Sequence, residues 1–173
     1  SNTTNSNTGG SLLAGQTNAS FTPPTTNLGA LYYYCVITQS VSGCETTSDT
    51  AEVIIVAAPV ITSQPIPDQD VCLDGNTTNN AQPLQVVYTN GAGTASYQWY
   101  SNTTNATIGG ILIAGATSDT YLPPTDAVGE LFYYCEITFS QGGCSSLFSN
   151  TARVEVHPLP IISTNPINTQ DIC

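Results

Sequence analysis

The chain has 173 residues, with 12 acidic side chains, a single Arg, no Lys and one His, giving a formal charge of −11 and a pI near 4.1. A polyanion with one cation cannot release counterions from a nucleic-acid backbone, so DNA and RNA binding are excluded, and without Lys neither an isopeptide crosslink nor a Schiff base can form. The longest apolar run, Val53 to Val60, is strand-length and far short of the roughly 18–20 residues of a spanning helix, so no membrane insertion is expected.

Thr, Tyr, Val and Ile are abundant, helix formers are scarce, and 14 Gly and 11 Pro punctuate the chain. This composition predicts an all-β protein with many turns. Six Cys in an acidic, Thr- and Asn-rich chain point to an oxidising, extracellular setting. No leader pattern is visible at the amino terminus, which predicts a mature or internal fragment.

The dominant feature is an internal repeat. The segment SNTTNSNTGG…LYYYCVITQS, starting at Ser1, returns as SNTTNATIGG…LFYYCEITFS at Ser101. Cys35 matches Cys135 and Cys44 matches Cys144, an offset of 100. After a one-residue insertion, Pro59 matches Pro160 and Cys72 matches Cys173, an offset of 101. The repeat predicts three pieces: residues 1–58 as the back part of one unit, 59–158 as a complete unit, and 159–173 as the opening strand of a third. A partial unit would expose an apolar sheet face and open strand edges. Neighbouring copies or adjacent repeats, supplying strands by complementation, are therefore the expected partners.

In chain order, Pro59–Cys72 carries Pro59, Pro65 and Pro67 and reads as an edge strand or linker. Asp74-Gly75-Asn76 is a turn. Leu84–Thr89 is a strand stopped by Asn90-Gly91. In Tyr97–Tyr100, Tyr97 and Trp99 share a face. Ile111–Ile113 and Thr120–Leu122 are short strands. Leu131–Phe139 is the clearest strand: Leu131, Tyr133, Cys135 and Ile137 face one way, Phe132, Tyr134, Glu136 and Thr138 the other. Gln141-Gly142-Gly143 turns the chain, and Ala152, Val154 and Val156 then alternate with Arg153, Glu155 and His157. About seven strands in a unit of this size fit a two-sheet antiparallel sandwich.

The set YQWY, AGATSDTYLPP, GELFYYCEIT and SNTARVEV resembles the tandem immunoglobulin-like repeats of giant cell-surface adhesins in Bacteroidetes, of the SprB gliding-motility type exported by type IX secretion. The resemblance implies an immunoglobulin-like β-sandwich in tandem, with Trp99 packed between the sheets. It also implies a tyrosine corner two residues before the later Cys, at Tyr133 before Cys135 and, in the preceding unit, Tyr33 before Cys35. The family places its first Cys about a dozen residues before the Trp; here that stretch holds Leu84, Val86 and Val87.

Each period carries three Cys. The expected bridge is Cys72–Cys144, with Cys135 a small buried apolar residue; Cys135–Cys144 and Cys72–Cys135 are the alternatives. Cys44 then needs a partner from outside, for which Cys173 of a neighbouring copy is suited.

Five sequons open at Asn2, Asn18, Asn76, Asn102 and Asn105, against a background of abundant Asn and Thr. Asp49-Thr50-Ala51 resembles the Bacteroidetes O-glycosylation motif, which makes Thr50 a modification candidate. Asp68, Asp70 and Asp74 are oxygen donors for Ca²⁺ in principle, but only Asp70 recurs, as Asp171, so a solvated acidic linker is the better reading and no cofactor is expected. His157 has no Cys or second His at ligand spacing. No GxSxG, HExxH, phosphate loop or CxxC occurs, and Glu130 and Glu136 become Ala30 and Val36 in the other unit, which argues against an enzyme. The expected role is an extracellular stalk or fibre segment at a bacterial surface. The alternative is an adhesin module that binds carbohydrate or a surface, with Tyr100 and Tyr134 as contacts; for the Tyr-rich strands (Tyr32, Tyr33, Tyr34 and Tyr133, Tyr134) aromatic pairing between strands is the better reading than an outward platform.

Overall fold

In the computed structural model residues 1–75 and 80–166 are described; they are all-β, with several sheets and no helix. The chain divides into two compact units. The first comprises Ser1–Val60, Asn90–Ala95 and Phe139–Ser145; the second comprises Ile61–Thr89, Ser96–Thr138 and Ser146–Cys173.

In the first unit β1 (Gly29–Tyr33) follows Pro23-Pro24. β2 (Val36–Thr38) and β3 (Glu45–Thr47) form a short antiparallel hairpin, and β4 (Ala51–Ile55) returns antiparallel to β1, with Leu31 opposite Val53 and Tyr33 opposite Ala51. Alternation places Leu31, Tyr33, Val53 and Ile55 on one face of the β1–β4 ribbon. They are only half-buried there, and no residue from Ser1 to Ala58 is buried. A two-stranded ribbon with one uncovered apolar face is marginal by itself.

The second unit holds the core. β5 (Val60–Ser63) and β6 (Asp68–Cys72) replace the single edge strand or linker expected there. β7 (Leu84–Gln85) and β8 (Val87–Thr89) divide the expected Leu84–Thr89 strand at Val86. The break is a change of partner: β7 pairs with β11 (Thr120–Tyr121), β8 pairs with β5, and between them the Val86 N–H donates to the Asp119 carbonyl at 3.0 Å. β9 (Ala95–Asn102), β10 (Ile111–Leu112), β12 (Gly129–Phe139), β13 (Leu147–Phe148) and β14 (Ala152–His157) complete the unit.

The largest sheet runs β10-β9-β12-β14-β6, with β13 also on β12. β12 and β14 are antiparallel, whereas β6 lies parallel to β14, from Arg153 opposite Asp68 to His157 opposite Cys72. Period-2 alternation explains the core. Ala152, Val154 and Val156 point inward from β14, Tyr133, Cys135 and Ile137 from β12, Trp99 from β9 and Val71 from β6, where they meet Leu84 and Val86. Trp99 is 0% exposed; its ring lies 5.9 Å from Tyr121, which lies 5.5 Å from Tyr133, and its indole N–H donates to the Ser118 carbonyl at 2.9 Å. Burial satisfies the one polar atom of the indole as well as its apolar area.

Candidate functional site

Three groups of side chains merit attention. The first is the charged edge where β6 meets β14. The chain's only basic side chain of the Lys/Arg type, Arg153, reaches Asp68 Oδ1 at 2.7 Å and Asp70 Oδ1 at 3.1 Å, and also bonds the carboxylates of Glu130 and Glu155. The parallel register makes this possible, because it sets Asp68 and Asp70 directly opposite Arg153 and Glu155. The guanidinium holds the Asp70 carboxyl below its usual range, with a smaller contribution from His157, and the carboxylates raise the Arg153 pKa further.

His157, isolated in the sequence, is brought to this edge. Its Nε2 lies 3.4 Å from Asp70 and its Nδ1 3.6 Å from Glu155. The ligand atoms of Asp70, Glu155 and His157 lie within 4.8 Å of one another. Two carboxylates and an imidazole are a donor set for a divalent cation, but Arg153 already engages both carboxylates, so the arrangement works as a clasp between two strands. Of the three acidic residues considered together for Ca²⁺, Asp68 and Asp70 turn to Arg153, whereas Asp74 bonds the buried Thr125 hydroxyl and accepts the Asn80 N–H at 3.2 Å.

The second group is a loop folded over a tyrosine, and it is built twice. Asn102 Nδ2 donates to the carbonyls of Ala106 and Ile108 at 3.0 and 3.1 Å, while its Oδ1 accepts the Thr104 N–H at 3.2 Å. Asn2 makes the same bonds to Ser6, Thr8 and Thr4 at 3.1, 3.1 and 3.3 Å. The Thr151 hydroxyl donates to Asn105 Oδ1, and the Thr50 hydroxyl to Asn5 Oδ1. The loop then closes on a tyrosine. The Gly10 N–H donates to Tyr34 Oη at 3.0 Å, and a Cβ at Gly110 would stand 2.7 Å from Tyr134 Oη.

These bonds bear on the modification candidates. At Asn2 and Asn102 the amide nitrogen that a glycan would take already donates to two carbonyls. Asn105 and Thr50 are each engaged as hydrogen-bond partners, Asn18 is exposed, and Asn76 lies outside the described residues. Tyr134 is buried between the loop, Tyr100 and Phe148, whose ring lies 6.3 Å away, so it pairs with aromatics of its own sheet and offers no outward platform.

The third group is the cysteines. Cys35, Cys44, Cys72, Cys135 and Cys144 are all free, so the expected Cys72–Cys144 bridge and its two alternatives are not made here; Cys173 lies outside the described residues. Cys72 ends β6 in the second unit, and Cys144 sits in the 139–145 turn that groups with the first. Cys135 is 0% exposed, and burial pushes its thiol up to about 12. Its N–H donates to Ser149 Oγ at 2.9 Å, and Cys35 repeats that bond with Ser48 at 3.0 Å, yet Cys35 is exposed. Tyr33, half-buried, packs 5.3 Å from Phe21 as buried Tyr133 packs against Tyr121.

Sequence reading missed the β6–β14 pairing, which spans more than 80 residues and recruits a strand reading Asp-Gln-Asp. Its signal was faint but present: Gln69 and Val71 alternate with Asp68, Asp70 and Cys72, and Val71 is buried.

Residues 66–158, from just before β6 to just after β14, match the profile of a domain of unknown function, DUF8696. The chain belongs to this family. No curated protein matches the chain. The family segment therefore opens on the strand whose parallel partner is its last one.

Proposed function

We propose that this chain is a stretch of an extracellular fibre or stalk at a bacterial surface, made of serial immunoglobulin-like sandwiches of which the DUF8696 segment is one. The work of such a segment is length and stiffness, not chemistry. The observation that carries the reading is the loop-over-tyrosine network, formed at Asn2 and again at Asn102 from matching residues. A catalytic or ligand-reading site tends to diverge between copies, whereas a building unit keeps its internal bonds. Pro-rich segments at Pro59–Pro67 and Pro158–Pro166 suit semi-rigid junctions between units. The buried position of Tyr134 lends nothing to a carbohydrate platform.

Electron micrographs of native surface material test the reading, with antibody raised against this chain as a marker. Beads at regular spacing along labelled fibres are expected. Label confined to isolated compact particles would count against it.

A further inference from the structure

The largest sheet has two edges, and only one of them is guarded. β6 closes one side with Asp68 and Asp70, held by Arg153; charged side chains on an outer strand discourage pairing with a further strand. β10 closes the other side, paired with β9 and with no other strand among the described residues. No acidic or basic side chain occurs from Gly75 to Ser118, so this edge strand and the turns around it carry no charge.

The edge is apolar instead. Ile108, Ile111 and Leu112 are 85%, 74% and 54% exposed. The matching residues of the first repeat are Thr8, Ser11 and Leu12, so at two exposed positions a hydroxyl residue has its counterpart in an Ile where the strand forms. The main chain is open as well. The Ile113 N–H donates to the Trp99 carbonyl at 3.0 Å, which by alternation turns the N–H and carbonyl of Leu112 away from β9.

We propose that the β10 edge pairs antiparallel with the β10 edge of a second copy, about a two-fold axis at Leu112, so that the two largest sheets run on as one. On that axis the two Leu112 residues form a hydrogen-bonded pair, each N–H donating to the other's carbonyl, and Ile111 of each strand faces Ile113 of the other. Charge selects the occupant. At a net charge of −11 two copies repel over most of their surface, and this neutral edge is where they meet. A charged partner finds no counter-charge here, whereas a second copy brings the same neutral, apolar strand, and two identical strands run antiparallel are self-complementary. So short a contact belongs to the transient class, burying under about 1,200 Å². It joins chains side by side, which goes beyond the fibre reading and does not depend on it.

The test is sedimentation of the full chain under reducing conditions, up to millimolar concentration. The unmodified chain is expected to form a dimer that strengthens with added salt, because salt screens the −11 repulsion and takes nothing from a neutral edge. Leu112→Lys and Leu112→Glu each set like charges face to face across the axis and should weaken dimerisation at least tenfold. Leu112→Lys also lowers the net negative charge, so general repulsion cannot account for its effect. An equimolar mixture of the two variants should dimerise again. Val128→Lys, at an exposed apolar position just before β12, should leave dimerisation unchanged. In the unmodified chain, deuterium exchange at the Leu112 amide should slow as the protein concentration rises, while the β6 amides keep their rates.

Any of four results overturns the proposal: monomer at every concentration, a dimer that salt dissolves, a dimer that Val128→Lys weakens as much as Leu112→Lys, or a mixture of the two Leu112 variants that stays monomeric. Trp99 emission reports whether each variant keeps its core. Should Leu112→Lys disturb that emission, exchange at the Leu112 amide of the unmodified chain decides, and a rate independent of concentration overturns the pairing.

Discussion

Tyr134 lies flat against Tyr100, with ring centroids 5.1 Å apart and planes 9° from parallel. The Tyr100 hydroxyl donates to Glu136 at 2.9 Å, so this face of β9 and β12 is tied by both stacking and a hydrogen bond. Gly110 closes over Tyr134 Oη, where an added methyl would overlap the ring and its hydroxyl. Gly110→Ala should destabilise the second unit by roughly 1–3 kcal/mol, the usual cost of overpacking. Urea denaturation followed by circular dichroism checks this; an unchanged midpoint would show that the loop is not packed on the tyrosine.

Trp99 is the only Trp, fully buried and singly hydrogen-bonded. Its native fluorescence should be blue-shifted and protected from acrylamide, and should move to the red on unfolding. Trp99→Phe removes the donor to Ser118 and part of the ring, whereas Trp99→Ala opens a cavity costing about 3–5 kcal/mol. Equal stability of the Phe and Ala variants would contradict this packing.

Thiol chemistry should separate Cys35 from its repeat counterpart Cys135. Cys35, Cys44 and Cys72 are exposed and should alkylate readily in the native chain, while Cys135 should react only after denaturation. Burial raises the Cys135 pKa from 9.0 to about 12 in the folded state. Its protonated form therefore supports folding fully below about pH 9, and that support fades as the pH rises towards 12. Cys135→Ala should flatten alkaline unfolding in this window, measured by Trp99 emission against pH.

At the opposite end of the scale, Asp70 has a folded pKa below its ordinary 3.8 because Arg153 and then His157 favour the carboxylate. A lowered pKa means stability present above about pH 3.8 and lost as acid protonates the group. Amides of β6 should therefore exchange faster with deuterium as the pH falls below this value, once the intrinsic rate is corrected. Asp70→Asn should remove much of the pH dependence. Arg153→Gln should loosen β6 at neutral pH as well, since it leaves Asp68, Asp70, Glu130 and Glu155 together without their shared cation.

Strands with strong alternation were legible in the sequence. Leu131–Phe139 and Ala152–His157 appear close to where the pattern places them, because β-branched and aromatic residues at period 2 have one stable disposition across a half-buried sheet. The break at Val86 was not legible, because the weak alternation of Leu84–Thr89 does not reveal that the segment changes partners midway. Pro59–Cys72 was legible as an edge strand or linker, but the parallel partner of β6 was not: its Asp-Gln-Asp is accommodated by Arg153 opposite and by Gln69, which bonds the Gln82 main chain at 2.7 and 3.1 Å. Tyr134 lies on the side of β12 that alternation gives and pairs across strands with Tyr100, as aromatic pairing within the sheet predicts. Alternation gives the side of the sheet, but a loop can cover that side, and the Asn102 turn does so.

The position of Arg153 has a consequence for proteolysis. A trypsin-like protease cuts after Lys or Arg, and this chain offers it a single scissile bond. That bond lies inside β14, flanked by β12 on one edge and β6 on the other, and the side chain that must enter the enzyme's specificity pocket is gripped by four carboxylates. Digestion must wait for the sheet to unzip, so cleavage at this bond reports how often that sheet opens, by its population or by its rate according to the protease concentration.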